Sequence, residues 1–217
     1  MDAGKELLLL IDMQRDFLDS QGYLAQSGVD VRALRAIIPN VRKLLDTARE
    51  LGIGVIHTRE GHRSDLSDLP LVKARRAARA GAAIGSPGPL GRLLIRGEPG
   101  HALIPELEPL AAEPVIDKPG FGAFYATDLE HLLRRAEVRR LTIAGVTTDI
   151  CVHSTLREAV DRGFECVTVA DACAAGEKRI HDAMLACIAG EGGILGEVAT
   201  TGEVIAAWHQ SATRPAR

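Results

Sequence analysis

Short, continuous runs of apolar residues alternate with stretches of helical spacing along this chain, and that alternation limits the folds open to it. Leu7–Asp12 opens with four leucines and an isoleucine, with no polar residue between them. Gly52–Thr58, Pro114–Asp117, Val138–Ala144, Glu165–Ala170 and the weaker Gly196–Ala199 read as further strands. Helical spacing occupies Val31–Leu51 (with Pro39 inside it), Thr127–Ala136, Ile150–Arg162, Ile180–Glu191 and Gly202–His209. Thr127 and Asp128 are placed as capping residues for the second of these. Strands that are apolar on both faces belong in a parallel sheet covered by helices on either side. The expectation is a single-domain α/β protein of three αβα layers, with a Rossmann-like parallel sheet of about six strands over residues 1–210. Ser211–Arg217 reads as a disordered tail, and the Gly/Pro-rich stretch Gly81–Gly100 as an irregular loop.

A chain of 217 residues can bury a sizeable core as one domain. Its composition is 46% apolar and 25% charged, with a net charge of −3 and 3% aromatics. There is no basic excess or stacking surface for nucleic acid, and no pull toward an anionic membrane. The leucine run is too short to span a bilayer and is not followed by a cleavage site, so a cytoplasmic location is expected. Cys151, Cys166, Cys173 and Cys187 form no C-x-x-C pair and read as reduced thiols. No G-x-G-x-x-G follows Leu7–Ile11, so a nucleotide-binding reading fails, and no cofactor is expected.

In an open parallel sheet, reactive groups collect at the carboxyl ends of the strands. Asp12, the His57–His62 stretch, Lys118 and Cys151 all stand at such ends. Cys151 follows a strand and the Gly145 turn, at the start of a helix. Unpaired N–H groups and the helix dipole there favour a thiolate, which lowers a thiol pKa. Asp12 ends the most apolar run in the chain, where desolvation raises a carboxyl pKa and suits a general base. Taken singly, each has a plain alternative: a buried apolar cysteine, a turn-capping aspartate, a solvated lysine. Together they form a thiol, a proton acceptor and a cation to hold both.

Three blocks carry a resemblance that spans nearly the whole chain: Leu9–Phe17 (LLIDMQRDF), Lys118–Leu129 (KPGFGAFYATDL) and Gly145–Val152 (GVTTDICV). In order and spacing they resemble the isochorismatase-like cysteine hydrolases. The resemblance implies an Asp12–Lys118–Cys151 triad and a non-proline cis peptide at Val146–Thr147. It implies an oxyanion hole from the Thr147 and Cys151 N–H groups, of the kind whose loss of one donor costs about 100-fold or more. It further implies hydrolysis of an amide-type carbonyl, with Asp12 taking the Cys151 proton, ammonia leaving, and water resolving a thioester-like intermediate. A different-class reading, a catalytically idle binding protein on this fold, is weakened by the triad positions all being filled.

Within the family, nicotinamidases carry a metal site with an Asp two residues before a His. Here position 55 is Val, so His57 and His62 are not expected to hold a metal, and Arg59, Glu60 and Arg63 read instead as shaping the pocket mouth or a subunit contact. The stretches His57–Pro70, Gly85–Pro89, Arg96–Gly100 and Ile116–Gly120 most resemble the ureide-cleaving branch, the biuret and triuret hydrolases. That implies a small, polar, planar substrate and a pocket rich in hydrogen-bond partners. Nicotinamide and N-carbamoyl amino acids remain alternatives. Phe17, Gln14, Phe121 and Val146 are candidate substrate contacts. Phe124 reads equally as core, and Gly122 stands where many relatives carry a small hydroxyl residue. Glu191 reads either as a ureide-binding carboxylate or as a surface residue at a helix end. Relatives commonly form dimers or tetramers, and the Gly81–Gly100 loop with Arg92 and Arg96 is a reasonable contact between subunits.

Overall fold

The computed structural model describes residues 5–213. Its centre is a six-stranded, all-parallel sheet: β1 (Lys5–Ile11), β2 (Gly54–Glu60), β5 (Val115–Lys118), β6 (Val138–Val146), β7 (Glu165–Ala174) and β8 (Glu197–Ala199). The spatial order is β5-β2-β1-β6-β7-β8, so the chain winds outward from β1 in both directions. The two remaining strands, β3 (Pro87–Gly88) and β4 (Gly91–Arg92), form a small antiparallel pair within the Gly81–Gly100 stretch.

The β1 leucines explain the layering, because successive side chains in a strand point to opposite faces. Leu8 and Leu10 enter one core with α3 (Val31–Arg35), α4 (Ile38–Leu51) and α9 (Thr201–Ala212). Leu7, Leu9 and Ile11 enter the other, with α6 (Leu129–Arg135), α7 (His153–Asp161) and α8 (Lys178–Gly193). The expected three-layer α/β architecture is the one observed.

The differences lie in short elements. The expected helix Val31–Leu51 is two, and Pro39 sits in the first turn of the second, where its missing N–H costs nothing. Asp128 occupies the N-cap of α6 without a side-chain hydrogen bond, whereas Thr127 Oγ1 accepts from Leu129 at 3.3 Å. Between β6 and α7 the chain makes a π-helical turn, Thr148–Val152, with Val152 N–H donating to Thr147 at 3.1 Å. Three helices lack a counterpart in the sequence reading: α1 (Arg15–Leu18), α2 (Tyr23–Gln26) and α5 (Leu71–Arg79). Ser211 and Ala212 continue α9, and the rest of the expected tail beyond 213 lies outside the described residues. Among the described residues, no helix is long and apolar enough to cross a membrane.

Candidate active site

The strand order reverses between β2 and β6, on either side of β1, and the carboxyl ends there form a crevice. Ile11 pairs with Gly145 at its edge. Gly145 has φ +126°, and a Cβ there would collide with the Ile11 backbone. Only glycine lets the two strands close at this point. Asp12 follows with φ 51°, a left-handed conformation that aspartate tolerates.

Four strands each deliver one polar side chain to this crevice. Asp12 comes from the end of β1, Glu60 from β2, Lys118 from β5 and Cys151 from the π turn after β6. Glu60 and Lys118 are cross-strand partners in register. Lys118 Nζ lies 2.8 Å from Asp12 Oδ2 and 3.6 Å from Glu60 Oε2, and donates to the Gly120 and Phe121 carbonyls at 3.0 and 2.9 Å. Thr58 Oγ1 donates to Asp12 Oδ1 at 2.6 Å and accepts the Asp12 N–H at 3.1 Å. Cys151 Sγ donates to Glu60 Oε2 at 3.2 Å, and Sγ and one oxygen of each carboxylate lie within 4.8 Å of one another. Lys73 of α5 reaches in from outside, with Nζ 2.6 Å from Glu60 Oε1.

Burial acts on every member of this set, and neighbours decide the outcome. Burial pushes the Asp12 carboxyl above its ordinary range, with Glu60 adding to the rise and Lys118 only partly offsetting it. Burial works the same way on Glu60, but Lys118 and Lys73 outweigh it and hold that carboxyl low. Lys118 is kept charged against its own desolvation by Asp12, Cys151 and Glu60. The Cys151 thiol is raised by burial, with Asp12 and Glu60 adding to the rise and Lys118 opposing it. This corrects the expectation of a thiol acidified by a helix start: burial of the sulfur is the largest influence, and the two carboxylates add to it. The resting sulfur therefore holds its proton, and a raised carboxylate stands ready to receive it.

Asp12, Glu60 and Cys151 are the metal-ligand types within reach of one another. The Lys118 ammonium already lies between the two carboxylates and supplies the positive charge that a cation would bring. His57 and His62 belong to other contacts, His57 with Glu113 at 3.1 Å and His62 with Asp68 at 3.2 Å.

A cavity of about 270 Å³ opens onto Cys151 and Glu60. Thr147 and Val146 line it beside Cys151, and the peptide bond between Val146 and Thr147 is cis. Phe17, Tyr23 and Leu24 form one wall, Phe121 and Ile150 another, and Lys73, Arg76 and Ala77 of α5 a third. Phe17, Phe121 and Val146, the candidate substrate contacts, thus line this cavity. Gln14 does not line the cavity. It is fully buried, with its side-chain amide clamped on the Glu60 backbone: Glu60 N–H donates to Oε1 at 2.6 Å and Nε2 donates to the Glu60 carbonyl at 3.0 Å.

Glu191 is exposed at the kinked end of α8, just before residues that lie by the amino-terminal ends of β6 and β7, away from the carboxyl ends that form the crevice. It is the surface residue of its two readings. Phe124 belongs to the core, 5.9 Å from Phe164 between ring centres. The space at Gly122 is filled rather than open, because a Cβ there would strike the Glu158 carboxylate that accepts the Phe124 N–H. Arg92 and Arg96 stitch their own loop to Ser64, Gly85 and Gly61 carbonyls.

Thr58 and Lys73 went unassigned in the sequence, and Glu60 was read there only as shaping the pocket mouth or a subunit contact. Thr58 and Glu60 share a face of β2 by alternation, and Asp12 meets them because it leaves its own strand at φ 51°. Lys73 carried no signal, since it lies on a polar segment with no strand end nearby.

Comparison with known proteins gives a consistent picture. The isochorismatase domain profile matches residues 6–203. A ureidoacrylate amidohydrolase of Serratia proteamaculans is 30% identical over 181 residues, covering 76% of this chain and 68% of its own. One from Yersinia enterocolitica is 33% identical over 159 residues, covering 70% and 67%. The crystal structure of a cysteine hydrolase from Pseudomonas syringae superposes with a TM-score of 0.81 at 27% identity, covering 96% of this chain and 93% of that one.

Proposed function

The chain belongs to the isochorismatase family and is a hydrolase of that family, and on that footing we propose that it cleaves the C–N bond of a small ureide through Cys151. The observation that carries this reading is the placement of a buried Asp12–Lys118 ion pair against a thiol at the floor of a cavity. Asp12 takes the Cys151 proton, and the thiolate attacks the carbamoyl carbonyl. The developing oxyanion is held by the Thr147 and Cys151 N–H groups. Ammonia departs with the proton that Asp12 received, leaving an S-acyl enzyme, and water then cleaves the thioester-like bond. Lys118 balances charge throughout: the transfer from thiol to Asp12 moves a negative charge from one neighbour of its ammonium to another.

Among ureides, the walls favour a particular kind. Biuret and triuret call for a pocket dense in hydrogen-bond partners, whereas Phe17, Tyr23, Leu24, Phe121 and Ile150 offer mostly apolar surface. Arg76 stands exposed at the rim, on α5. An N-carbamoyl compound with a short hydrocarbon body and a terminal carboxylate fits that combination, and the ureidoacrylate amidohydrolases among its relatives support it. Ammonia release measured on ureido acids, N-carbamoyl amino acids, biuret, triuret and nicotinamide tests the assignment. Ureido acids are expected to turn over fastest and biuret or triuret slowly. Turnover of nicotinamide alone would overturn the ureide reading.

A further inference from the structure

The proposed mechanism assigns Glu60 no proton, yet it accepts the thiol hydrogen and is 3% exposed. Its backbone is fixed from within by the Gln14 amide, and the Gly61 N–H donates to the Lys118 carbonyl at 3.0 Å. What remains free is the carboxylate itself. One oxygen faces Cys151 and Lys118; the other is taken by Lys73 at 2.6 Å.

Lys73 comes from α5, which covers one side of the cavity but rests on the body lightly. Ala77 is its only buried residue, and Leu71 and Val72 are 73% and 56% exposed. The Lys73 ammonium fastens this helix by three contacts at once: the Glu60 carboxylate, the Pro119 carbonyl at 2.7 Å, and the Phe121 ring at 5.0 Å from its centre. The cavity wall and the acceptor of the nucleophile's hydrogen are therefore held by the same atom.

We propose that Glu60 and Lys73 are positioning residues for Cys151: Lys73 fixes the Glu60 carboxylate as acceptor of the thiol hydrogen, so that the sulfur is aimed only while α5 is seated over the cavity. This rests on Cys151 being the nucleophile. It gives α5 a use beyond walling the pocket, since a substrate that draws the helix down also completes the alignment of the sulfur. Misplacement of a reacting atom by about an ångström can cost ~100-fold in rate, so the link has leverage.

The charged and titratable groups facing the thiol, Glu60 and Lys73 are Asp12 from β1, Lys118 from β5, Lys73 and Arg76 from α5, Tyr23 from α2, and His62 just beyond β2. Replacing Lys73 removes a cation and disfavours the thiolate. Replacing Glu60 removes an anion and favours it. The pH–rate curve for alkylation of Cys151 by iodoacetamide should therefore move up in Lys73→Gln and down in Glu60→Gln, and return toward the parent in the double variant. Lys73→Gln should also lower kcat roughly 10- to 100-fold with a smaller change in KM, and Lys73→Arg should restore the alkylation curve. Arg75→Ala, on the same helix, is the control that leaves both unchanged. Lys73 lies on an exposed helix, so its variants test the idea even if Glu60→Gln fails to fold. Unmoved alkylation curves, shifts of the same sign, or parent kcat in Lys73→Gln overturn the proposal. Loss of the underlying nucleophile reading is separate: it would show as full turnover in Cys151→Ser.

Discussion

Asp12 and Glu60 are carboxylates a few ångströms apart whose surroundings drive them in opposite directions. Pairs separated in this way divide acid–base work, one exchanging a proton while the other stays ionised. Asp12 must be ionised to receive the thiol proton, so kcat/KM should fall as pH drops through its pKa. Because burial raises that pKa above 3.8, the acid limb should lie above the ordinary aspartate range. Thr58 donates to the charged form at 2.6 Å and so favours it. Thr58→Val should move the acid limb to higher pH while sparing turnover on the alkaline side, and a limb that stays put would argue against Asp12 as the proton acceptor. Asp12→Asn should cost on the order of 100- to 10,000-fold in kcat. Asp12, Lys118 and Cys151 were legible because each closes or follows an apolar run. Glu60 read only as a residue of the pocket mouth or of a subunit contact, because it lies in a stretch of mixed charge beyond the expected strand Gly52–Thr58. The direction of the Cys151 shift was not legible at all, because it depends on how closely four strands bring their ends together.

The cavity wall formed by α1 and α2 depends on a single buried side chain. Asp16 Oδ1 accepts the Tyr23 N–H at 3.2 Å and Oδ2 accepts the Leu94 N–H at 3.1 Å, so it ties the helical turn to the Gly81–Gly100 stretch. Gly100 packs against the carboxylate with no room for a Cβ. Removing the carboxylate leaves two N–H groups without their acceptor, at about 1–3 kcal/mol each. Asp16→Ala should lower Tm and weaken substrate binding together, through Phe17 and Tyr23. Burial also pushes Asp16 up to about 6 from 3.8. The folded state thus holds this proton more tightly than the unfolded chain. Its stabilising contribution is complete below 3.8 and is lost as pH rises through about 6. Denaturant titrations across that window should show this slope in the parent and lose it in Asp16→Asn. Elements such as α1, α2 and α5 escaped the sequence because they are short and owe their existence to contacts like these. The long strands and α4 announced themselves by apolar pattern alone. The π turn at Thr148–Val152 read as ordinary helix because its wider bond leaves no mark on residue spacing.

At the scale of the molecule, one feature of topology does most to produce function. Winding outward from β1 opens a crevice at the carboxyl ends, and the four groups that meet there come from sequence positions as far apart as Asp12 and Cys151. The strand alternation made this architecture readable in advance. The character of the cavity was not, since Tyr23, Leu24 and Ala77 of its walls come from the unforeseen helices. Substrate choice belongs to this scale. Arg76→Gln should raise KM roughly tenfold or more for a ureido acid, the loss of a charge-assisted hydrogen bond, and leave biuret nearly untouched. Equal effects on both would remove Arg76 as the carboxylate partner. The central claim, however, is the covalent use of Cys151. Its most direct test is mass spectrometry of protein quenched in acid during turnover of an N-carbamoyl substrate. The account predicts an acyl adduct on the peptide bearing Cys151, and neither adduct nor turnover in Cys151→Ser. Undiminished turnover in Cys151→Ser, with no adduct on the parent protein, would contradict it.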